Sequence, residues 1–146
     1  MSTETSTGLR MSRVIQGNRK SVFKAWTDPA EMKNWCSPEG IDVQECTVDL
    51  RVGGAYRIHM LTPEGKTHTA IGRYRVVEPP SRLVYTWDWE EEGAQMGDTL
   101  VTVEFKEMGE ATEIVLTHEK FPNEEARDGH DMGWKSCLNR LEALLA

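Results

Sequence analysis

The sequence is short of cysteine pairs, basic clusters and long apolar runs, and each shortage removes a class of function. Its three cysteines, Cys36, Cys46 and Cys137, form neither an even disulfide framework nor a C-x-x-C pair, which suits a reducing compartment. No run approaches the roughly 18 apolar residues of a membrane span. Residues 1–8 (MSTETSTG) lack the basic start and apolar middle of a signal peptide. The expectation is a cytoplasmic protein with a disordered leader over residues 1–8 and no membrane partner. Basic residues number 17 against 24 acidic, a net charge of −7, with no basic run. Nucleic acid is therefore not an expected partner, because phosphate binding draws its affinity from clustered Lys and Arg. The acidity is uneven: residues 1–73 hold 10 Lys/Arg and 8 Asp/Glu, whereas residues 74–146 hold 7 and 16.

Signatures of chemistry are missing as well. There is no G-x-G-x-x-G or P-loop to cradle phosphate, no G-x-S-x-G elbow, and no H-x-H, H-x-x-x-H or H-E-x-x-H ligand spacing. No metal, cofactor or catalytic residue is expected. Cys36, next to Trp35 and near Pro38, reads as an idle thiol ahead of a reactive one. The acidic stretch of Asp88, Glu90, Glu91 and Glu92 reads as a solvated loop.

What remains is a chain of 146 residues, 38% apolar and 28% charged, with five tryptophans. That is enough for one core without a disulfide or metal staple, and a single domain is expected over residues 9–146. Residues 9–16 alternate as a strand. Residues 19–27 place Val22, Phe23 and Trp26 at helical spacing, with Asn18 or Ser21 as cap, and Pro29 opens a second short helix over 30–35. From Asp42 to His118 the period changes to two, in six runs separated by Gly- and Pro-containing turns: an antiparallel meander. The last 24 residues return to helical period, with Ala126, His130, Gly133, Trp134, Cys137, Leu138, Leu141, Leu144 and Leu145 on one stripe. The stripe is small and polar at its start and leucine-rich at its end. Its first half therefore reads as loosely filled and its second half as solid core. The expected architecture is α+β, a curved antiparallel sheet in the order β-α-α-β6-α wrapped around a long C-terminal helix, a helix-grip fold. Such a sheet leaves a hollow beside the helix.

This order, together with Asp49-Leu50-Arg51-Val52-Gly53-Gly54, Gly72-Arg73-Tyr74, Pro79-Pro80-Ser81-Arg82-Leu83-Val84-Tyr85-Thr86-Trp87 and Gly133-Trp134-x-x-x-Leu138-x-x-Leu141, resembles the activator-of-heat-shock-chaperone-ATPase-like branch of the SRPBCC (START, pollen-allergen-like) superfamily. The resemblance spans residues 14–145. Its Arg51-Val52-Gly53-Gly54 is similar to an R-P-G-G turn with Val for Pro, with Arg51 expected to pair with a carboxylate near Asp49 or with Glu45. Pro79-Pro80 reads as a corner between strands. Gly133 is expected to let the helix approach the sheet while Trp134 supplies buried area.

Strand parity turns Tyr56, Ile58, Met60, His68, Tyr74, Tyr85, Trp87, Trp89, Val101, Val103 and His118 inward, and the helix stripe adds His130 and Trp134. These thirteen are the candidate ligand-binding residues of an aromatic-walled cavity. His68, His118 and His130 read either as groups that touch a ligand or act as acid and base, or as histidines whose hydrogen bonds are satisfied within the fold. Three functions follow. The first is binding of a small hydrophobic or aromatic molecule between helix and sheet, in a stress-related role. The second, implied by the resemblance, is a co-chaperone-like module with a chaperone partner; ATPase stimulation is not expected, since residues 1–13 hold no counterpart of the activators' separate N-terminal domain. The third is a cyclase- or hydrolase-like enzyme using cavity histidines. Enzyme activity is the less favoured reading, and a homodimer is left open.

Overall fold

The computed structural model describes residues 8–145; most of the leader expected over 1–8 lies outside the described residues. The elements are β1 (Leu9–Gln16), α1 (Arg19–Thr27), α2 (Pro29–Met32), β2 (Asp42–Val48), β3 (Ala55–Leu61), β4 (Thr67–Glu78), β5 (Arg82–Trp89), β6 (Thr99–Met108), β7 (Ala111–Glu119) and α3 (Glu124–Leu145). The seven strands make one antiparallel sheet in the order β1-β7-β6-β5-β4-β3-β2, so β2 to β7 are a meander and β1 closes onto its last strand.

The caps explain the two short helices. Asn18 starts α1 by accepting the Ser21 backbone N–H at 2.9 Å. Asp28 ends α1 and caps α2, accepting the Ala30 N–H at 3.1 Å, with Pro29 in the first turn. α2 is a single turn, shorter than the expected 30–35. Trp35 is fully buried, packs at 4.5 Å against Trp26 with the ring planes tilted by 59°, and donates its indole N–H to the Ala25 carbonyl at 2.8 Å. Anchoring that side chain under α1 bends residues 33–37 into a turn.

The sheet is bent where the β4–β5 ladder opens. Backbone pairing holds at Ile71↔Asp88 and Tyr74↔Tyr85 and shifts register between Tyr74 and Val76. Between them the Thr86 hydroxyl accepts the Arg73 N–H at 2.9 Å, and the Thr86 carbonyl accepts the Tyr56 hydroxyl, which reaches from β3 across β4. Only glycine fits opposite: a Cβ on Gly72 would lie 1.9 Å from the Thr86 carbonyl oxygen and 2.6 Å from the Tyr56 hydroxyl. The Arg51–Gly54 turn is likewise architectural. It exchanges backbone bonds with Tyr74, Gly53 N–H to Tyr74 O at 2.8 Å and Tyr74 N–H to Gly54 O at 3.0 Å, and so fixes where the Tyr74 ring points. Arg51 pairs with Asp49 itself at 2.9 Å, while Glu45 pairs with Arg57.

α3 lies across the inner face. Its second half is clamped from both sides: Arg13 on β1 donates to Asn139 at 2.8 Å and Glu142 at 3.2 Å, and Arg140 donates to the Ser37 carbonyl at 2.7 Å. Leu138 and Leu141 are buried, but Leu144 is 45% exposed, so the solid core stops a turn earlier than the leucine pattern predicts. Apolar periodicity identifies the face; where the sheet beneath it ends is a tertiary matter.

Candidate functional site

The first half of α3 stands off the sheet and leaves a cavity of about 310 Å³. α3 contributes Ala126, Gly129, His130, Gly133, Trp134 and Cys137. The sheet contributes Tyr56, Ile58 and Met60 from β3, Tyr74 from β4, and Tyr85, Trp87 and Trp89 from β5. Trp26, Met32, Cys36 and Pro38 complete the wall, and Glu125 is the one acidic or basic side chain on it among the described residues. The helix is thin here by composition. A Cβ built on Gly129 meets nothing within 4 Å, and one on Gly133 meets only Pro38 Cγ at 3.9 Å. Gly133 is therefore not needed for close helix–sheet approach, contrary to expectation; its missing side chain leaves cavity space.

Nine of the thirteen expected residues line the cavity: Tyr56, Ile58, Met60, Tyr74, Tyr85, Trp87, Trp89, His130 and Trp134. Four do not. Val101 and Val103 are fully buried in the closed core, because α1 packs against β6, with Phe23 and Trp26 on Phe105 at 5.2 and 5.8 Å. His68 is exposed; the β4–β5 pairing ends at Ala70↔Trp89, so its side chain lies past the covered part of the sheet, edge-on to Trp89. His118 is fully buried behind Trp134. Sequence reasoning did not place Trp26, Met32, Cys36, Pro38, Glu125 or Gly129 on the wall. Ala126, Gly133 and Cys137 were on the α3 stripe, which was the available signal for them.

Every ring nitrogen of His118 and His130 is engaged. The Thr99 hydroxyl donates to the Trp87 carbonyl at 2.6 Å and so must accept, at 2.7 Å, from His118 Nε2–H. His118 Nδ1 then accepts the Trp134 indole N–H at 3.0 Å. This chain requires a neutral imidazole. Burial, with His130 adding to it, pushes the His118 pKa down to about 2. His130 Nδ1–H donates to the Ala126 carbonyl at 2.8 Å and its Nε2 accepts the Trp89 indole N–H at 3.1 Å. Burial lowers its pKa too, against the opposing pull of the Ala126 carbonyl. Neither imidazole keeps a free lone pair for a proton or a metal, and no cluster of three metal-ligating side chains occurs among the described residues. The two cavity thiols are also quiet. Burial raises Cys36 well above its ordinary value and Cys137 to about 12, so both are protonated at neutral pH.

The hydroxyls and indoles differ from the imidazoles. Tyr85 accepts the Trp26 indole N–H at 3.1 Å, and its own proton has no acceptor among the described residues. The Tyr74 hydroxyl makes no hydrogen bond among the described residues. The Trp87 indole N–H is buried with no partner among the described residues. Burial pushes the pKa values of Tyr56, Tyr74 and Tyr85 up, so all three stay protonated donors. Outside the cavity, Asp88 is not a solvated carboxylate. It is 9% exposed and accepts backbone N–H groups from Trp89, Met96, Gly97 and Asp98 at 2.6–3.2 Å, organising the loop between β5 and β6. Burial raises its pKa, but those four bonds together outweigh burial and hold it below the ordinary value.

No curated protein matches the sequence. Among solved structures, a protein from Chromobacterium violaceum is 29% identical with a TM-score of 0.84, over 95% of this chain and 96% of that one. The AHSA1 protein from Silicibacter pomeroyi is 27% identical with a TM-score of 0.83, over 94% and 96%. A protein from Nitrosomonas europaea, 23% identical with a TM-score of 0.82 over 96% and 94%, shares the fold. The helix-grip architecture is common to them. The model of the family described as activator of Hsp90 ATPase homolog 1-like protein matches residues 17–146, and the chain belongs to that family.

Proposed function

We propose that this protein binds a small hydrophobic or aromatic molecule in the cavity between α3 and the sheet. The observation that carries the reading is a pocket of about 310 Å³ bordered by seven aromatic side chains, Trp26, Tyr56, Tyr74, Tyr85, Trp87, Trp89 and Trp134. Natural cores are packed to crystal density and rarely leave voids larger than a water, and pockets of this size with apolar walls are the ordinary form of small-molecule sites. The free thiols on the wall suit a reducing, cytoplasmic setting. His130, the one histidine on the cavity wall among the described residues, has both ring nitrogens engaged, which favours binding over acid–base catalysis. Native mass spectrometry of protein purified from cells is expected to find a co-purifying small molecule, and naphthalene is expected to bind saturably with one-to-one stoichiometry. Neither a bound molecule nor saturable naphthalene binding would end the proposal.

A second reading, a chaperone partner and with it a stress-related role, rests on the family's description. It predicts retention of the chaperone on immobilised protein at micromolar concentration. No retention, with the chaperone's ATPase rate unchanged on adding this protein, would dismiss it.

A further inference from the structure

The neutral polar groups of the cavity are one-sided. Tyr85 has its oxygen occupied by the Trp26 N–H, so what it still offers is a proton. The Tyr74 hydroxyl, on the paired position of the adjacent strand, makes no hydrogen bond among the described residues. Trp87, two residues along β5, also carries an N–H with no acceptor among the described residues, but that nitrogen is enclosed by protein and out of a ligand's reach. The neutral acceptors nearby are engaged: His130 Nε2 by Trp89, His118 Nδ1 by Trp134, the Thr86 carbonyl by Tyr56 and the Trp87 carbonyl by Thr99. A donor left unpaired in a buried site is costly, and a molecule that brings an acceptor to Tyr74 and Tyr85 relieves the cost.

Charge narrows the choice. Among the described residues no Lys or Arg lines the cavity, and Glu125 is its one acidic side chain, so a carboxylate or phosphate entering it would be desolvated without a counter-charge. An organic ammonium would be attracted to the aromatic faces, but it cannot accept a proton from Tyr85 and would leave that donor unpaired. Size sets the scale. An apolar cavity of roughly 150 Å³ holds benzene, and this one, at about 310 Å³, has room for two or three fused rings.

We propose that the cavity selects an uncharged aromatic molecule bearing a hydrogen-bond-accepting oxygen, such as a ketone or quinone carbonyl, met by the hydroxyls of Tyr74 and Tyr85. The proposal rests on the reading of this cavity as a ligand site. It adds that the donors, not apolar area alone, set what enters.

The test compares four probes of one shape against the full chain by calorimetric titration at pH 7: naphthalene, 2-acetylnaphthalene, 2-naphthoate and 2-naphthyltrimethylammonium. The expected order places 2-acetylnaphthalene at least ten-fold tighter than naphthalene, and both charged probes weaker than 2-acetylnaphthalene. Tyr74→Phe is expected to cut the preference for 2-acetylnaphthalene over naphthalene, read as the ratio of the two dissociation constants, by about five- to ten-fold. Tyr85→Phe serves as the second variant if the first fails to fold, with the same fall in the ratio expected. Naphthalene binding as tightly as its ketone overturns the inference but leaves the proposed function standing. Tighter binding of the naphthoate or the ammonium overturns it in favour of a charged ligand. Failure of all four probes overturns both the inference and the function it rests on.

Discussion

His118 makes a quantitative prediction about stability and pH. In the fold its Nδ1 faces the Trp134 indole N–H at 3.0 Å, so protonation would set two donors against each other, and burial holds its pKa near 2. In the unfolded chain a histidine titrates near 6.5. The folded pKa is the lower one, so the unfolded state takes up a proton that the folded state refuses, and stability falls as pH falls below about 6.5. Between pH 7.5 and 5.5 the unfolded-state titration alone amounts to about 1.4 kcal/mol for one such histidine. His130, also lowered, adds to the slope in the same direction. His118→Asn offers an oxygen to Trp134 in place of Nδ1 but removes the titration. Urea unfolding of wild type and His118→Asn at pH 7.5 and 5.5 should therefore give a wild-type loss larger than the variant's by about 1.4 kcal/mol. Equal losses in the two proteins would mean that His118 protonates in the fold, and the neutral hydrogen-bond chain would be wrong.

Other consequences are simpler to read. Gly133→Leu puts a side chain into open cavity and replaces a poor helix former, so naphthalene binding should be abolished while stability stays level or rises by about 1 kcal/mol; loss of stability by urea titration would contradict the open space at Gly133. Gly72→Ala forces a methyl against the Thr86 carbonyl and should cost about 3 kcal/mol in the same assay, because both obstructing atoms are held by hydrogen bonds. Asp88→Asn weakens four backbone bonds to the β5–β6 loop, and amide exchange at Met96, Gly97 and Asp98 should quicken well before that at Trp87. Because the folded pKa of Asp88 lies below its unfolded value, the same loop should loosen in wild type only as pH falls through the acid range.

The cavity itself was partly legible in the sequence. Strand parity is a local property, and it put Tyr56, Tyr85 and Trp87 on the inner face correctly because the pleat leaves no choice once one neighbour is buried. Parity does not say what covers a face. Val101 and Val103 point inward like Tyr85, yet α1 closes over β6 and removes them from the cavity, while His68 keeps its parity but runs beyond the covered sheet. Hydrogen-bond partners were less legible still. That Trp134 pairs with His118 and Trp89 with His130 joins residues from different elements, and no spacing rule connects them.

By itself the sequence determined the element order, the six-stranded meander preceded by a single strand, the amphipathic face of α3 and the thin, glycine-bearing start of that helix. These follow from periodicity, caps and turn residues, which act over a few neighbours. Only the tertiary structure decided that the thin stretch lies over β3 to β5 rather than β6, that the histidines are spent on tryptophans, and that the protons of Tyr74, Tyr85 and Trp87 are left over. The physical reason is that sheet curl and helix placement set distances between residues far apart in the chain, and a hydrogen bond made or left unmade is a matter of a single ångström.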